Sequence, residues 1–360
     1  MQNNQAIPFN KENFKQILSV EFALVIILSI PGAIIADYFA VPLAWFLGPM
    51  IVTSIISLLG VKVKVPRLVL SINLIFLGLY IGNYIDKSLF SQIHQWALTS
   101  FIMLVYIVIS IFLVSKYLQK FSNYGKKTSF FSAAPGALGP LLILAESEKS
   151  DLSQVATSHL IRLIIIITVF PIFVQNFYDA ETINITNDLA KNQNILNLLV
   201  LIILSVFLII IFDKFRVPAA LLSGTLVASG FLQITEIASY KIPENIIDFC
   251  LLILGSSVGC RFVNKTFKDI AKNALHSFVA TFLLVLLGII AAFSAGFFID
   301  KNFYTLLLSY CPGGIYEVAV IAIFFDLDPE FVSFHHIIRL LIILFVVPIF
   351  LRGLKKKKPT

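Results

Sequence analysis

Two arginines sit deep in hydrophobic sequence, each three residues after a histidine: His159 and Arg162 in SHLIRLIIII, His336 and Arg339 in HHIIRLLIIL. A spacing of three puts histidine and arginine on one face of a helix. An arginine within the hydrocarbon core is costly unless it meets a partner or water, so both are candidates for anion recognition. The competing reading is a side chain near a helix end that snorkels to the interface. Upstream of each pair lies a helix-breaking sequence, Pro135-Gly136 in one case and Pro312-Gly313-Gly314 in the other. A break there would turn free backbone N–H groups, with their partial positive charge, into the membrane, making an anion site without a specialised side chain. Alternatively, the glycines only allow close helix packing. Glu317 lies among apolar residues just past the second break, where it either exchanges a proton or pairs with Arg339. Gly48-Pro49 and Gly224 mark a second set of segments for breaks or close packing.

These landmarks occur twice. Pro135, His159, Arg162 and Pro171 match Pro312, His336, Arg339 and Pro348, each 177 positions on. Pro66, Gly78 and Gly82 match Pro243, Gly255 and Gly259 at the same shift, and Asp37, Pro42 and Gly48 match Asp213, Pro218 and Gly224 at a shift of 176. A duplicated apolar half with helix breakers and a buried cation in each copy is a pattern of secondary transporters. Hydrophobic residues make up 58% of the 360 and charged residues 13%, far from a soluble domain, so the chain is an all-α, multi-pass membrane protein.

Six apolar segments occupy each half: 16–37, 42–60, 66–86, 95–118, 128–146 and 153–177, then 195–212, 217–235, 243–262, 275–299, 303–325 and 331–352. The organisation that follows is an N-terminal segment 1–15, a first repeat 16–178, a polar linker 179–194, a second repeat 195–352 and a basic tail 353–360. Basic residues move between equivalent connections: Lys62, Lys64 and Arg67 follow the second segment, whereas Lys214 follows the first segment of the second half, and Arg261 and Lys265 its third. Twelve parallel crossings would put those clusters on opposite sides of the membrane. The conflict disappears if the Pro-Gly segment of each half enters and leaves on one side. Each half then has five spans plus a broken or re-entrant segment, and the two halves are inverted. Lys62, Lys116, Lys214, Lys265 and both termini become cytoplasmic, with Asp326, Asp328 and Glu330 outside.

The net charge of +7 draws on the Lys355–Lys358 cluster of the tail and reads as topology, not as a nucleic-acid footprint. Cys250, Cys260 and Cys311 have neither metal spacing nor a disulfide framework. The five histidines, at 94, 159, 276, 335 and 336, give no convincing metal-ligand set.

The PGGIYEV run followed by HHIIR resembles the PGG-x-x-E and H-x-x-R signature of the membrane AbrB family, over nearly the whole chain from about Phe22 to Phe350. The first copy departs from it, with Ala137 in place of the second glycine and Pro140 in place of the glutamate. The resemblance implies a duplicated membrane domain in the inner (plasma) membrane and carries two inherited labels, putative regulator of gene expression and ammonia monooxygenase. It also implies a distant similarity to the cation:proton antiporter and anion transporter folds. The function expected is secondary transport of a small, anionic solute, with a membrane sensor or regulator acting indirectly on gene expression as the alternative and an enzyme a distant third. No cofactor is expected, the partners are the bilayer and the solute, and a homo-oligomer is allowed.

Overall fold

A computed structural model of the chain describes residues 11–83, 85, 88–136, 138–177, 195–215, 217, 219–237, 243–263 and 265–356. The expected linker 179–194, most of the segment 1–15, the end of the basic tail, Ala137 and Pro218 lie outside the described residues. The elements are helices: α1 (Lys11–Ile17), α2 (Val20–Tyr38), α3 (Ala44–Leu58), α4 (Arg67–Gly82), α5 (Ser88–Phe121), α6 (Lys126–Ala133), α7 (Leu138–Ser147) and α8 (Leu152–Phe177). The second half follows with α9 (Ile195–Lys214), α10 (Ala220–Thr235), α11 (Glu244–Gly259), α12 (Phe267–Gly296), α13 (Phe303–Tyr310), α14 (Ile315–Phe324) and α15 (Pro329–Lys356).

Lipid cannot satisfy backbone polar groups, so a spanning segment must bond within itself, as a helix does. Among the described residues six stretches are long and apolar enough to cross: Val20–Tyr38, Trp96–Phe121, Leu152–Phe177, Leu196–Lys214, Asn245–Phe262 and Asn273–Gly296. The protein is an all-α, multi-pass membrane protein. Each of the two Pro-Gly segments forms a pair of short helices, eight residues in α6 and α13 and ten in α7 and α14. None of these four reaches across a hydrocarbon core of about 30 Å.

Backbone details recur at the equivalent places. The residues before α4 and α11, Pro66 and Pro243, both have φ −60° and ψ 141°. Before α3 and α10, Leu43 and Ala219 both take the left-handed conformation, with φ 54° and 55°. This conformation is uncommon outside glycine, so its recurrence after a proline in each half is a shared device rather than an accident of one loop.

The chain divides into two compact units, each drawing on both halves of the sequence. The first holds α1 to α4 with α9 to α11; the second holds α6, α7, α12 and α13, with most of α5, α8, α14 and α15. In the first unit, helices pair across the halves, an arrangement that points to internal symmetry. On α4, Gly78 lies against the Leu222 carbonyl and Gly82 against that of Leu226, both on α10. On α11, Gly255 lies against the Phe46 carbonyl and Gly259 against that of Met50, both on α3. A Cβ would stand 2.6 Å from the Leu226 oxygen at Gly82 and 2.7 Å from the Met50 oxygen at Gly259, so only glycine permits these approaches. In both pairs the contact advances in step along the two helices, so α4 runs parallel to α10, and α11 to α3. The hydroxyls of Ser29 (α2) and Ser256 (α11) add a buried hydrogen bond of 2.7 Å.

Gly48-Pro49 and Gly224 break nothing: α3 and α10 run through them. Here close packing wins, because Gly48 presses on the backbone of Gly32 and Ala33, and Gly224 lies 3.0 Å from the Ile209 amide nitrogen by its missing Cβ. The start of α4 and the end of α11 line one cavity, through Pro66 and Leu70 on one side and Ser257 and Cys260 on the other. Equivalent helices therefore present opposite ends to the same face of this unit.

Candidate functional site

Within the second unit, proline makes each break. It has no N–H to donate and forces the preceding residue out of the helical region. Ala134 and Cys311, which precede Pro135 and Pro312, accordingly have ψ 126° and 132°. Ending α6 and α13 in a buried place leaves carbonyls at their C-termini without helical partners. The His-x-x-Arg faces meet that need. His159 Nε2 donates to the Phe131 carbonyl at 2.9 Å, and the Arg162 terminal nitrogens donate to the carbonyls of Ala134 (2.7 Å) and Ser132. In the second copy His336 Nε2 donates to the Leu308 carbonyl at 3.0 Å, and Arg339 to those of Cys311 and Gly313 (2.5 Å to the latter).

Both arginines are buried, Arg339 completely. A cation at a helix C-terminus faces the negative end of the helix dipole, which compensates part of the charge. The arginines thus hold the breaks in shape. One nitrogen of each has no hydrogen-bond partner among the described residues: the buried Nε of Arg162 and the buried Nε of Arg339. An additional Arg339 contact fixes a tautomer. Its Nη2 lies 2.8 Å from His336 Nδ1, and arginine can only donate, so Nδ1 accepts and the proton of His336 sits on Nε2.

The two breaks meet at Arg339. Gly136 of the first break has φ 96°, and a Cβ there would stand 3.0 Å from Arg339 Nη2 and 3.2 Å from its Nε. Glu317, buried in the first turn of α14, folds back over Gly314, whose carbonyl accepts the Val318 N–H at 3.0 Å. A side chain at Gly314 would occupy the space of the Glu317 carboxylate. Glu317 attracts Arg339 through space, while the hydrogen bonds of Arg339 itself all go to uncharged partners. Pro135, Gly136, Pro312, Gly313, Gly314, His159, Arg162, His336, Arg339 and Glu317 therefore all belong to one unit.

Sequence reasoning missed Tyr106 on α5. It is buried and donates to the Leu284 carbonyl at 3.3 Å, in the unit that holds both arginines. No signal marks it, since its equivalent 177 positions on is Leu283. His335, which the sequence offers only as a metal ligand, has its Nδ1 2.9 Å from the Phe331 carbonyl and its Nε2 2.8 Å from Thr99 Oγ1. Among the described residues no three His, Cys, Asp or Glu side chains could hold a metal ion, and Cys250, Cys260 and Cys311 are free thiols.

The outer ends of the first hairpin are tied together. Lys127 at the start of α6 pairs with Glu148, just after α7, at 2.7 Å, and Thr128 Oγ1 accepts the Asp151 N–H at 3.2 Å. In the second hairpin the Lys301 ammonium stands 5.8 Å from the Phe331 ring centre, bringing the start of α13 near the start of α15.

The model of the family described as "Transition state regulatory protein AbrB" matches residues 2–87 and 45–355. The chain is 26% identical over 332 residues to the "Putative regulator AbrB" of Escherichia coli (strain K12), covering 88% of this chain and 92% of that protein. It is 20% identical over 350 residues to the "Uncharacterized protein YhjN" of Bacillus subtilis (strain 168), covering 91% of each. No solved structure matches it. With nearly its whole length matched, the chain belongs to the AbrB family.

Proposed function

We propose that this protein is a membrane-embedded regulator whose effect on gene expression is indirect, through a small solute met at the paired helix breaks. The regulatory reading is carried by the Escherichia coli relative, named a putative regulator and similar over 88% of this chain. It outweighs the first expectation, transport of a particular solute. The solute class rests on the site: two buried guanidiniums, each with an Nε unpartnered among the described residues, favour an anion such as a carboxylate. Arg339 carries more of this than Arg162, because the second copy keeps the glycine pair and the glutamate.

Secondary transport is the second reading, and one observation favours it. Helix breaks in corresponding places, within halves whose equivalent helices present opposite ends to one face, are the architecture of inverted-repeat transporters. On that reading the two Pro-Gly segments are re-entrant, a shape that the Lys127–Glu148 tie supports. Likeness to the cation:proton antiporter and anion transporter folds rests on this architecture alone. The inverted arrangement places both termini and Lys265 in the cytoplasm of a plasma-membrane protein and Asp328 outside. Single cysteines introduced beside Lys265 and Asp328, with the three natural cysteines replaced, test it: outside reagent labels the second and spares the first.

One experiment separates regulator from transporter. Cells lacking the protein are complemented with wild type and with Arg339→Lys, and transcripts are compared while the purified wild type is assayed for uptake of small carboxylates in liposomes. The regulator reading expects wild type to restore the transcripts, Arg339→Lys to fail because it loses the planar fork, and no flux. Carboxylate uptake that dissipates with Arg339→Lys replaces it with the transporter reading.

A further inference from the structure

We propose that the cavity at the basic end of the first unit binds the phosphate of an anionic amphiphile, namely a phospholipid headgroup. The cavity measures about 820 Å³ and is lined by Lys62, Lys64 and Arg261 together with Gln16, Ser19 and Ser257. Its lining has a single carboxylate, Glu21, against the three cations. Lys62 to Val65 lies outside any helix and alternates in burial, with both lysines exposed and Val63 buried, and both lysines line the cavity. Among the described residues neither lysine has an ion-pair partner.

Backbone adds to the charge. The start of α2 is capped, since Ser19 Oγ accepts the Phe22 N–H at 3.3 Å. The start of α4, which also reaches the cavity, has neither a side-chain cap nor an acidic residue in its first turn. Its free N–H groups and dipole add positive potential where the lysines stand.

Beneath this rim the wall is apolar. Val63, Val65, Cys260 and Val263 line the cavity and pack into the cluster formed by Phe22, Val25, Leu252 and Ile253. At the α1–α2 junction, beside the lining residue Ser19, Leu18 and Val20 are 89% and 72% exposed, where acyl chains would cover them. A basic rim over an apolar wall at the ends of spanning helices suits a headgroup whose chains run down the protein side. The sequence keeps only part of the charge at the matching positions: Lys64 is matched by Lys241, whereas Lys62, Arg261 and Val263 are matched by Ser239, Tyr84 and Asp86.

The test uses the full chain in neutral detergent, titrated with dioleoylphosphatidylglycerol or dioleoylphosphatidylcholine and read by native mass spectrometry. Wild type should bind the phosphatidylglycerol at least tenfold more tightly. Lys62→Gln with Lys64→Gln should remove that preference. The charge-matched pair Lys116→Gln with Lys126→Gln should keep it, with melting temperatures showing that both variants fold. Displacement of the lipid by inorganic phosphate identifies the same phosphate site with a free phosphate as its source. Equal binding of the two lipids by wild type, or equal loss of preference in both double variants, overturns the proposal. The first of these needs no variant, so a failure of Lys62→Gln with Lys64→Gln to fold does not protect it.

Discussion

At the first break Arg162 gives its terminal nitrogens to the Ala134 and Ser132 carbonyls; at the second Arg339 gives its own to Cys311, Gly313 and His336. The part held in common is the anchoring: histidine and arginine each reach a carbonyl 28 residues back, in both copies. The part that differs is charge and space. Only the second break has a carboxylate in the first turn after it, and only there does arginine also lean on its histidine. A cation that closes a helix C-terminus is a structural need of any buried break. The additions at the second break are what function has to work with.

The largest consequence concerns the arginines. Arg339→Ala leaves two buried carbonyls and His336 Nδ1 without a donor, and each orphaned group costs about 1–3 kcal/mol. Arg162→Ala leaves two carbonyls. Both variants should melt well below wild type in detergent, Arg339→Ala the lower, with Arg339→Lys between it and wild type because one ammonium cannot bridge two carbonyls. Equal melting of the two alanine variants would mean that the His336 contact adds nothing, and the copies would then be equivalent as anchors.

Next comes the crowding of Gly314 by Glu317. Gly314→Ala should displace the carboxylate and destabilise the break, whereas in a Glu317→Ala background that clash with the carboxylate is gone. The double-mutant cycle should therefore show a coupling of about 1–3 kcal/mol, measured by chemical or thermal unfolding. The first copy, with Ala137 and Pro140 at these positions, already has the unglutamated arrangement in its sequence. Additive effects would detach Glu317 from the break and weaken its claim to carry a proton there.

Much of this was legible in the sequence. The two Pro-Gly breaks and the four His and Arg positions follow from residue types and a fixed displacement, because helix breakers and buried cations are expensive in lipid and leave few alternatives. What the arginines hold was not legible. Backbone carbonyls have no sequence signature, so a guanidinium committed to them reads the same as one awaiting an anion. Likewise Gly48-Pro49 reads equally as a break or as close packing, and only the structure shows it inside an unbroken helix, since a glycine for close approach and a glycine for a bend are the same letter. The mixing of both halves in each compact unit also escaped, because it depends on pairings such as α4 with α10 that no local pattern encodes.

Smaller effects separate Gly136 from Gly313, which match in sequence. Gly136 has φ 96° and would set a Cβ 3.0 Å from Arg339 Nη2, while at Gly313 the nearest obstacle is a Val318 methyl at 2.5 Å. Left-handed backbone costs an alanine about 1–2 kcal/mol. Gly136→Ala should lower the melting temperature through backbone strain and pressure on Arg339; Gly313→Ala should cost less, since one valine methyl can turn away. The reverse order would place the tighter constraint at the second break.

The smallest expected effect lies at the outer corners that follow the two hairpins. Lys149 after α7 and Asp326 after α14 are 177 positions apart and share a left-handed backbone, with φ 55° and 50°. A lysine there suits the negative end of the helix dipole and an aspartate opposes it. Burial, and then the neighbouring Asp328, raise the Asp326 carboxyl above the usual carboxylate range. The sign follows directly. A carboxyl that holds its proton more tightly in the folded state destabilises the fold as pH rises from its unfolded value of about 4 through the folded one, and has no such effect below both. Asp326→Asn, which keeps a side chain tolerant of positive φ, should therefore raise the melting temperature slightly at pH 7 and not at pH below about 4. Lys149→Gln should lower it slightly at both, through loss of its contact with the helix dipole. An equal gain for Asp326→Asn at both pH values would trace the effect to packing, and the opposite charges of the two corners would then reflect only which side of the membrane each one faces.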